Sequence, residues 1–117
     1  MPGLTSAGGI PIEEFSVGTL TADGTEQTVF ELTSLAELEG WIDLANMESG
    51  DVVIIKVYVK TRSGGTYRLY DSASYSGIQS SPGLHITKLP AKYGLKGTVQ
   101  QTTGTNRTYD FNFFKRG

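Results

Sequence analysis

The chain has 117 residues, with 10 Lys+Arg against 12 Asp+Glu for a formal net charge of -2, and this size fits one domain with its own core. The near-neutral balance, with a sequence pI of about 5.3, speaks against a nucleic-acid partner, which asks for a basic patch. Cys 0 and His 1 exclude disulfide staples, zinc fingers, iron–sulfur sites, thiol nucleophiles and multi-histidine metal cages built from one chain, and leave open an oxygen-ligand site for calcium or magnesium.

Residues 1–13 carry Pro2, Gly3, Gly8, Gly9 and Pro11 among scattered apolar groups and read as an extended N-terminal arm, with 14–117 as a single β-sandwich domain. The arm lacks the charged start and continuous apolar core of a signal peptide. No run reaches the roughly twenty apolar residues that cross a bilayer, so a soluble chain is expected. Short segments separated by turn residues follow, at sandwich or barrel spacing. Strands are expected at 15–21 and 27–32, joined as a hairpin across Ala22-Asp23-Gly24-Thr25, where Asp-Gly tolerates the positive φ of a tight turn. Residues 33–40 alone have helical character, with Ser34 and Glu37 spaced as a capping box, and read as a loop or short helix ended by Gly40.

A short strand at 41–44 and a connection at 45–50 lead to 51–61, the strongest strand pattern in the chain. Val53, Ile55, Val57 and Val59 fall on one face, and Val52, Ile54, Lys56, Tyr58 and Lys60 on the other. Arg62-Ser63-Gly64-Gly65 turns into a strand at 66–75, where alternation places Tyr67, Leu69, Asp71, Ala73 and Tyr75 together and sends Tyr70 outward. After a loop at 77–83 come strands at 84–89 and 95–102. A last hairpin at Thr103-Gly104-Thr105-Asn106 returns through 107–115, with Tyr109, Phe111 and Phe113 alternating against Thr108, Asp110 and Asn112. Together these describe an all-β fold, a two-sheet antiparallel sandwich, jelly-roll-like, of about eight strands.

The chemistry-bearing residues are few. His85, within Leu84-His85-Ile86, alternates outward; a Ser/His/Asp triad with Asp71 or Asp110 can be written on paper, but nothing resembles G-x-S-x-G, and the histidine reads as a surface strand residue. The carboxylate pairs Glu13/Glu14, Glu37/Glu39 and Glu48/Asp51 sit in the arm or in loops and read as solvated turn residues. Asp71 falls on an apolar face, so it must pair or sit at a sheet edge. Asn106-Arg107-Thr108 fits the glycosylation pattern, with Asn106 better explained as a turn residue, and no phosphate-binding glycine fingerprint occurs. No catalytic, cofactor-binding or metal-binding residue is assigned, and no cofactor is expected.

Several runs carry a resemblance: Ala22-Asp23-Gly24-Thr25-Glu26-Gln27-Thr28, Trp41-Ile42-Asp43-Leu44-Ala45-Asn46-Met47, Gly50-Asp51 into Val57-Tyr58-Val59-Lys60, Ser63-Gly64-Gly65-Thr66-Tyr67-Arg68, Leu89-Pro90, Tyr93-Gly94-Leu95-Lys96 and Gln101-Thr102-Thr103-Gly104-Thr105. They resemble small β-sandwich virion proteins of tailed viruses infecting bacteria and archaea. The resemblance covers nearly everything after the arm, and its motifs are turns and strands, which specify a fold family better than a function. It implies a non-enzymatic structural protein, a head decoration protein that binds and stabilises the outer capsid surface, made in the host cytoplasm and carried on the virion. The partners implied are the major capsid protein and copies of the chain itself, as a trimer on a capsid axis, with neither nucleic acid nor membrane. The arm would reach its neighbours through Leu4, Ile10, Pro11 and Ile12. The alternative is a carbohydrate-binding β-sandwich module, such as a tail or fibre receptor-binding domain, with Trp41 and Tyr70 as exposed aromatics on which sugar rings stack.

Overall fold

The computed structural model describes residues 12–117. They form eight strands: β1 (Glu13–Thr21), β2 (Gln27–Leu32), β3 (Ala36–Asp43), β4 (Val52–Lys60), β5 (Arg68–Ser76), β6 (Gly83–Ala91), β7 (Gly94–Thr103) and β8 (Thr108–Arg116). A first sheet has the order β1-β8-β3-β6 and a second the order β2-β7-β4-β5, with every neighbouring pair antiparallel. Only β4 and β5 are sequential strands that pair; every other connection carries the chain from one sheet to the other. That is the connectivity of a jelly roll, and the fold class expected from composition and punctuation is found.

Three local readings change. The turns at 22–25 and 103–106 are not hairpins, because β1 pairs with β8 and β2 with β7. Both turns bridge the two sheets. Their chemistry is nonetheless as expected: Gly24 has φ 88° and Gly104 φ 93°, and Asp23 Oδ1 accepts from the Thr25 amide at 2.9 Å. Second, no helix or short strand divides at Gly40. β3 is continuous, with Ala36, Leu38, Gly40 and Ile42 buried and Glu37, Glu39, Trp41 and Asp43 facing outward. Third, Val57 lies opposite Asp71 and Tyr58 opposite Leu69, so two β5 residues span one step of β4 and Tyr70 forms a bulge. The bulge reverses the alternation. Leu69 therefore joins outward-facing Tyr58 and is 55% exposed instead of lying inward with Ala73 and Tyr75.

The core lies between the sheets. Phe30 of β2 and Phe113 of β8 meet there with ring centroids 4.7 Å apart. Each ring also lies over a glycine on the neighbouring strand of its own sheet, Phe30 over Gly97 and Phe113 over Gly40. Leu32, Leu38, Ile42, Val53, Ile55, Leu95, Val99 and Tyr109 pack around this pair. Tyr109 was expected inward and is 1% exposed. Tyr75 packs against the core, whereas Tyr67 lies on the outer face of the second sheet, its hydroxyl donating to Glu31 Oε2 at 2.7 Å.

Glu13, placed in the arm by sequence, is the first residue of β1, with its carboxylate 3.6 Å from Lys115 Nζ. Of the arm's apolar residues, Ile12 is described and is 45% exposed; Leu4, Ile10 and Pro11 lie outside the described residues.

Candidate functional site

The two sides of the sandwich are built differently. On the β1/β2 side, the Ser16 hydroxyl donates to the Val29 carbonyl at 2.7 Å, tying the first sheet to the second. On the opposite side, β5 and β6 are the outermost strands of their sheets, and each pairs with one neighbour only among the described residues. Between them opens a cleft of about 180 Å³. β5 turns Asp71 and Ala73 inward here, opposite Val57 and Ile55, and the Ala73 side chain is too short to fill the gap between the sheets. Ile55, Val57, Leu84 and Ile86 therefore form an apolar floor that the sandwich does not close over. Tyr70, the bulge residue, is 60% exposed and borders the cleft, whereas Leu69 faces out beside Tyr58.

The free backbone edges differ too. β6 carries Lys88 and Pro90, a charge and a missing amide that discourage strand pairing. β5 has its own guards, the Tyr70 bulge and Asp71, whose Oδ1 accepts from the Ser72 amide at 2.8 Å, and it has no proline.

The polar candidates take their places around this geometry. His85, Asp71 and Ser72 all reach the cleft wall. They do not form a triad: His85 Nε2 lies 3.3 Å from Glu39 Oε2, and Asp71 Oδ1 accepts from the Ser72 amide at 2.8 Å. Asp71 thus sits at the sheet edge, as its place on an apolar face required. Asp110 is across the molecule from the cleft strand β5, accepting a hydrogen bond from the Thr19 hydroxyl at 2.6 Å. Trp41 is 51% exposed on the outer face of the first sheet, its ring stacked on His85 at 4.4 Å between centroids. Trp41 borders a groove over β1 and β8, and Tyr70 borders the β5–β6 cleft, so the two rings do not share one platform.

Asp51 departs furthest from its reading as a solvated turn residue. It is 1% exposed, accepting from the Glu48 amide at 2.8 Å, the Thr105 amide at 3.2 Å and Arg107 Nε at 2.8 Å. The hydrogen bond from Arg107 holds its carboxyl below the ordinary carboxylate range, with the Glu48 amide adding to it. Beside it Gln101, 2% exposed, accepts from the Arg107 amide and the Tyr109 hydroxyl and donates to the Thr103 and Thr105 carbonyls. This knot fastens the β3–β4 connection to the β7–β8 connection. Sequence offers little sign of it, because the partners lie more than fifty positions apart.

The outer face of the second sheet is a polar lattice. Tyr58 and Thr98 both donate to Glu26 Oε2, and these bonds hold the Glu26 carboxyl below its usual range, the one from Thr98 foremost. Lys96 lies over the Tyr67 and Tyr58 rings at 4.7 and 5.2 Å, and Lys60 over Tyr67 at 4.7 Å. Charge and ring faces are satisfied within the sheet. The β5–β6 side differs from it in its apolar floor, open between two strands that each have one neighbour among the described residues.

Compared with known proteins, the chain matches no family model, no curated protein and no solved structure.

Proposed function

We propose that this protein works without catalysis as a structural component of a virion, a head decoration protein that binds the outer capsid surface of a tailed virus and stabilises it. The observation that carries the reading is the open side of the sandwich: an apolar cleft flanked by a β5 edge that is unpaired among the described residues. Such an edge is completed by a strand from another chain, whose backbone continues the ladder and whose side chains enter the cleft. The sequence resemblance supplies the setting, and the partners follow from it: the major capsid protein and copies of the chain itself, associated as a trimer, with nucleic acid on the far side of the shell. The apolar residues Leu4, Ile10, Pro11 and Ile12 are suited to reach such a neighbour.

The test is binding of the purified protein to emptied heads of the virus that encodes it, read by co-sedimentation and electron microscopy. Saturable occupancy of symmetry-related positions on the outer surface is expected. Ala73→Arg, which places a charge in the cleft, is expected to weaken that binding by at least about tenfold. Absence of saturable binding, or density confined to the tail, overturns the reading; undiminished binding by Ala73→Arg removes the cleft from it.

A further inference from the structure

Trp41 is the single tryptophan of the chain. It stands mid-strand on β3 at an outward position, where the neighbouring outward positions hold Glu37, Glu39 and Asp43, and it is 51% exposed. The core does not need an indole there. An exposed ring of this size, held in one orientation, is instead the usual mark of a contact surface.

The orientation comes from β6. His85 stacks against Trp41 with centroids 4.4 Å apart and planes inclined at 31°, and its own Nε2 is 3.3 Å from Glu39 Oε2. On the other side of the indole, over β8 and β1, runs an open groove of about 440 Å³. Cross-strand register sets its side chains in two rows. Trp41, Asn112 and Val17 stand abreast on β3, β8 and β1. Asp110 and Thr19 stand abreast in the next row, with Asp43 bordering the same groove. The Thr19 hydroxyl fixes the Asp110 carboxylate at 2.6 Å. Asn112 Oδ1 is buried with no hydrogen-bond partner among the described residues, an acceptor that a turn of the amide could offer to a donor in the groove.

An apolar ring face beside a row of carboxylate and amide acceptors matches one ligand chemistry well. A pyranose presents C–H groups on its face, which stack on an indole, and hydroxyls at its edge, which donate to carboxylates. Asp43 and Asp110 put like charge next to any carboxylated or sulfated sugar, so the match is to a neutral one. We propose that the Trp41 groove binds a neutral hexopyranose chain. The proposal goes beyond the virion reading and holds or fails independently of it.

Because Trp41 is the only tryptophan, its fluorescence reports on the groove directly. The full-length protein is titrated with cellotetraose, chitotetraose, maltotetraose and tetragalacturonate to about 10 mM, enough to reveal a millimolar Kd. A saturable shift with at least one neutral tetrasaccharide, and none with tetragalacturonate, is expected. Asp110→Ala and Asn112→Ala keep the fluorophore and are expected to weaken binding at least about fivefold with unchanged far-ultraviolet circular dichroism. Trp41→Ala, followed by calorimetry, is expected to abolish it. The proposal is overturned by no saturable response to any neutral sugar, by an equal response to tetragalacturonate, by insensitivity to both groove variants, or by a fluorescence change that follows protein concentration alone, which would make a second copy the occupant.

Discussion

Gly97→Ala tests the account of the core, because two opposed effects meet at that residue. In an unobstructed strand, alanine in place of glycine stabilises by about 0.5–1 kcal/mol, since glycine loses more backbone freedom on folding. At Gly97 a Cβ would fall on Phe30 Cε2, with Phe30 Cζ at 2.6 Å and Cδ2 at 2.7 Å. The Phe30 ring is 2% exposed and has Phe113 behind it at 4.7 Å, so it cannot swing clear without disturbing the pair that joins the sheets. Overpacking of this kind costs about 1–3 kcal/mol, which exceeds the entropic gain. The net loss, about 1 kcal/mol at the middle of these ranges, corresponds to a fall of roughly 3–6 °C in melting temperature for a domain of this size. In a Phe30→Leu background the obstruction shrinks, and a double-mutant cycle is expected to return a coupling of about 0.5–3 kcal/mol. Gly40→Ala is the control. There the obstructing atoms include backbone, Asn112 O and Phe113 Cα at 2.7 Å, so Phe113→Leu should not rescue it. Thermal melts of the six variants decide the matter. A neutral or stabilising Gly97→Ala, or strict additivity with Phe30→Leu, would refute the reasoning.

The remaining expectations concern the polar framework. Asp51 and Glu26 both have carboxyls held below their ordinary values of 3.8 and 4.5, so their contribution to stability is present above those values and is lost as the pH falls through the lower folded-state ones. The melting temperature should accordingly be level around neutrality and drop below about pH 4, and Asp51→Asn should melt lower at neutral pH with a shallower acid limb; an unchanged limb would count against the Asp51 knot. At the other end, burial foremost pushes the Tyr67 and Tyr109 hydroxyls up from 10.0 to about 12, aided by Glu31 and Asp51 respectively. Their contribution is intact below pH 10 and is lost as the pH rises toward 12, so in a tyrosinate absorbance titration part of the signal should lag until the fold gives way. Gln101→Met strands the Tyr109 hydroxyl and the Arg107 amide, and chemical denaturation should show a loss of about 2–4 kcal/mol.

The period-two pattern of β4 and β8 was legible because β-branched and aromatic residues carry it, and propensity and pattern agree there. In β3 they conflict: Ala36, Glu37, Leu38 and Glu39 are good helix formers, and their alternation yields a strand only because its neighbours β8 and β6 supply ladders on both edges. The turns at Asp23-Gly24 and Thr103-Gly104 were read correctly as reversals. Turn chemistry fixes the local φ but not which sheet receives the chain, so two crossings between sheets looked like hairpins. The Tyr70 bulge left no mark in residue types, and one extra residue was enough to turn Leu69 outward. Trp41 was recognisable as a candidate, but its groove was not: Asn112 and Val17 come beside it through register between strands distant in sequence. The open cleft was equally hidden. Only the packed structure shows that Ala73, set inward on β5 opposite Ile55, leaves the sandwich unclosed.

The jelly-roll connectivity has a kinetic consequence. The β4–β5 hairpin is the one unit that can form from adjacent chain; every other strand pair must wait for segments separated by at least one strand in sequence. Topologies of this kind fold in milliseconds to seconds, far slower than helical bundles of equal length. During that interval the hairpin offers the same β5 edge that is unpaired among the described residues of the finished fold. If the chain assembles through that edge, as proposed above, its contact strand is present from the earliest stage of folding, and co-folding with an excess of its own copies should reveal strand exchange before it reveals aggregation.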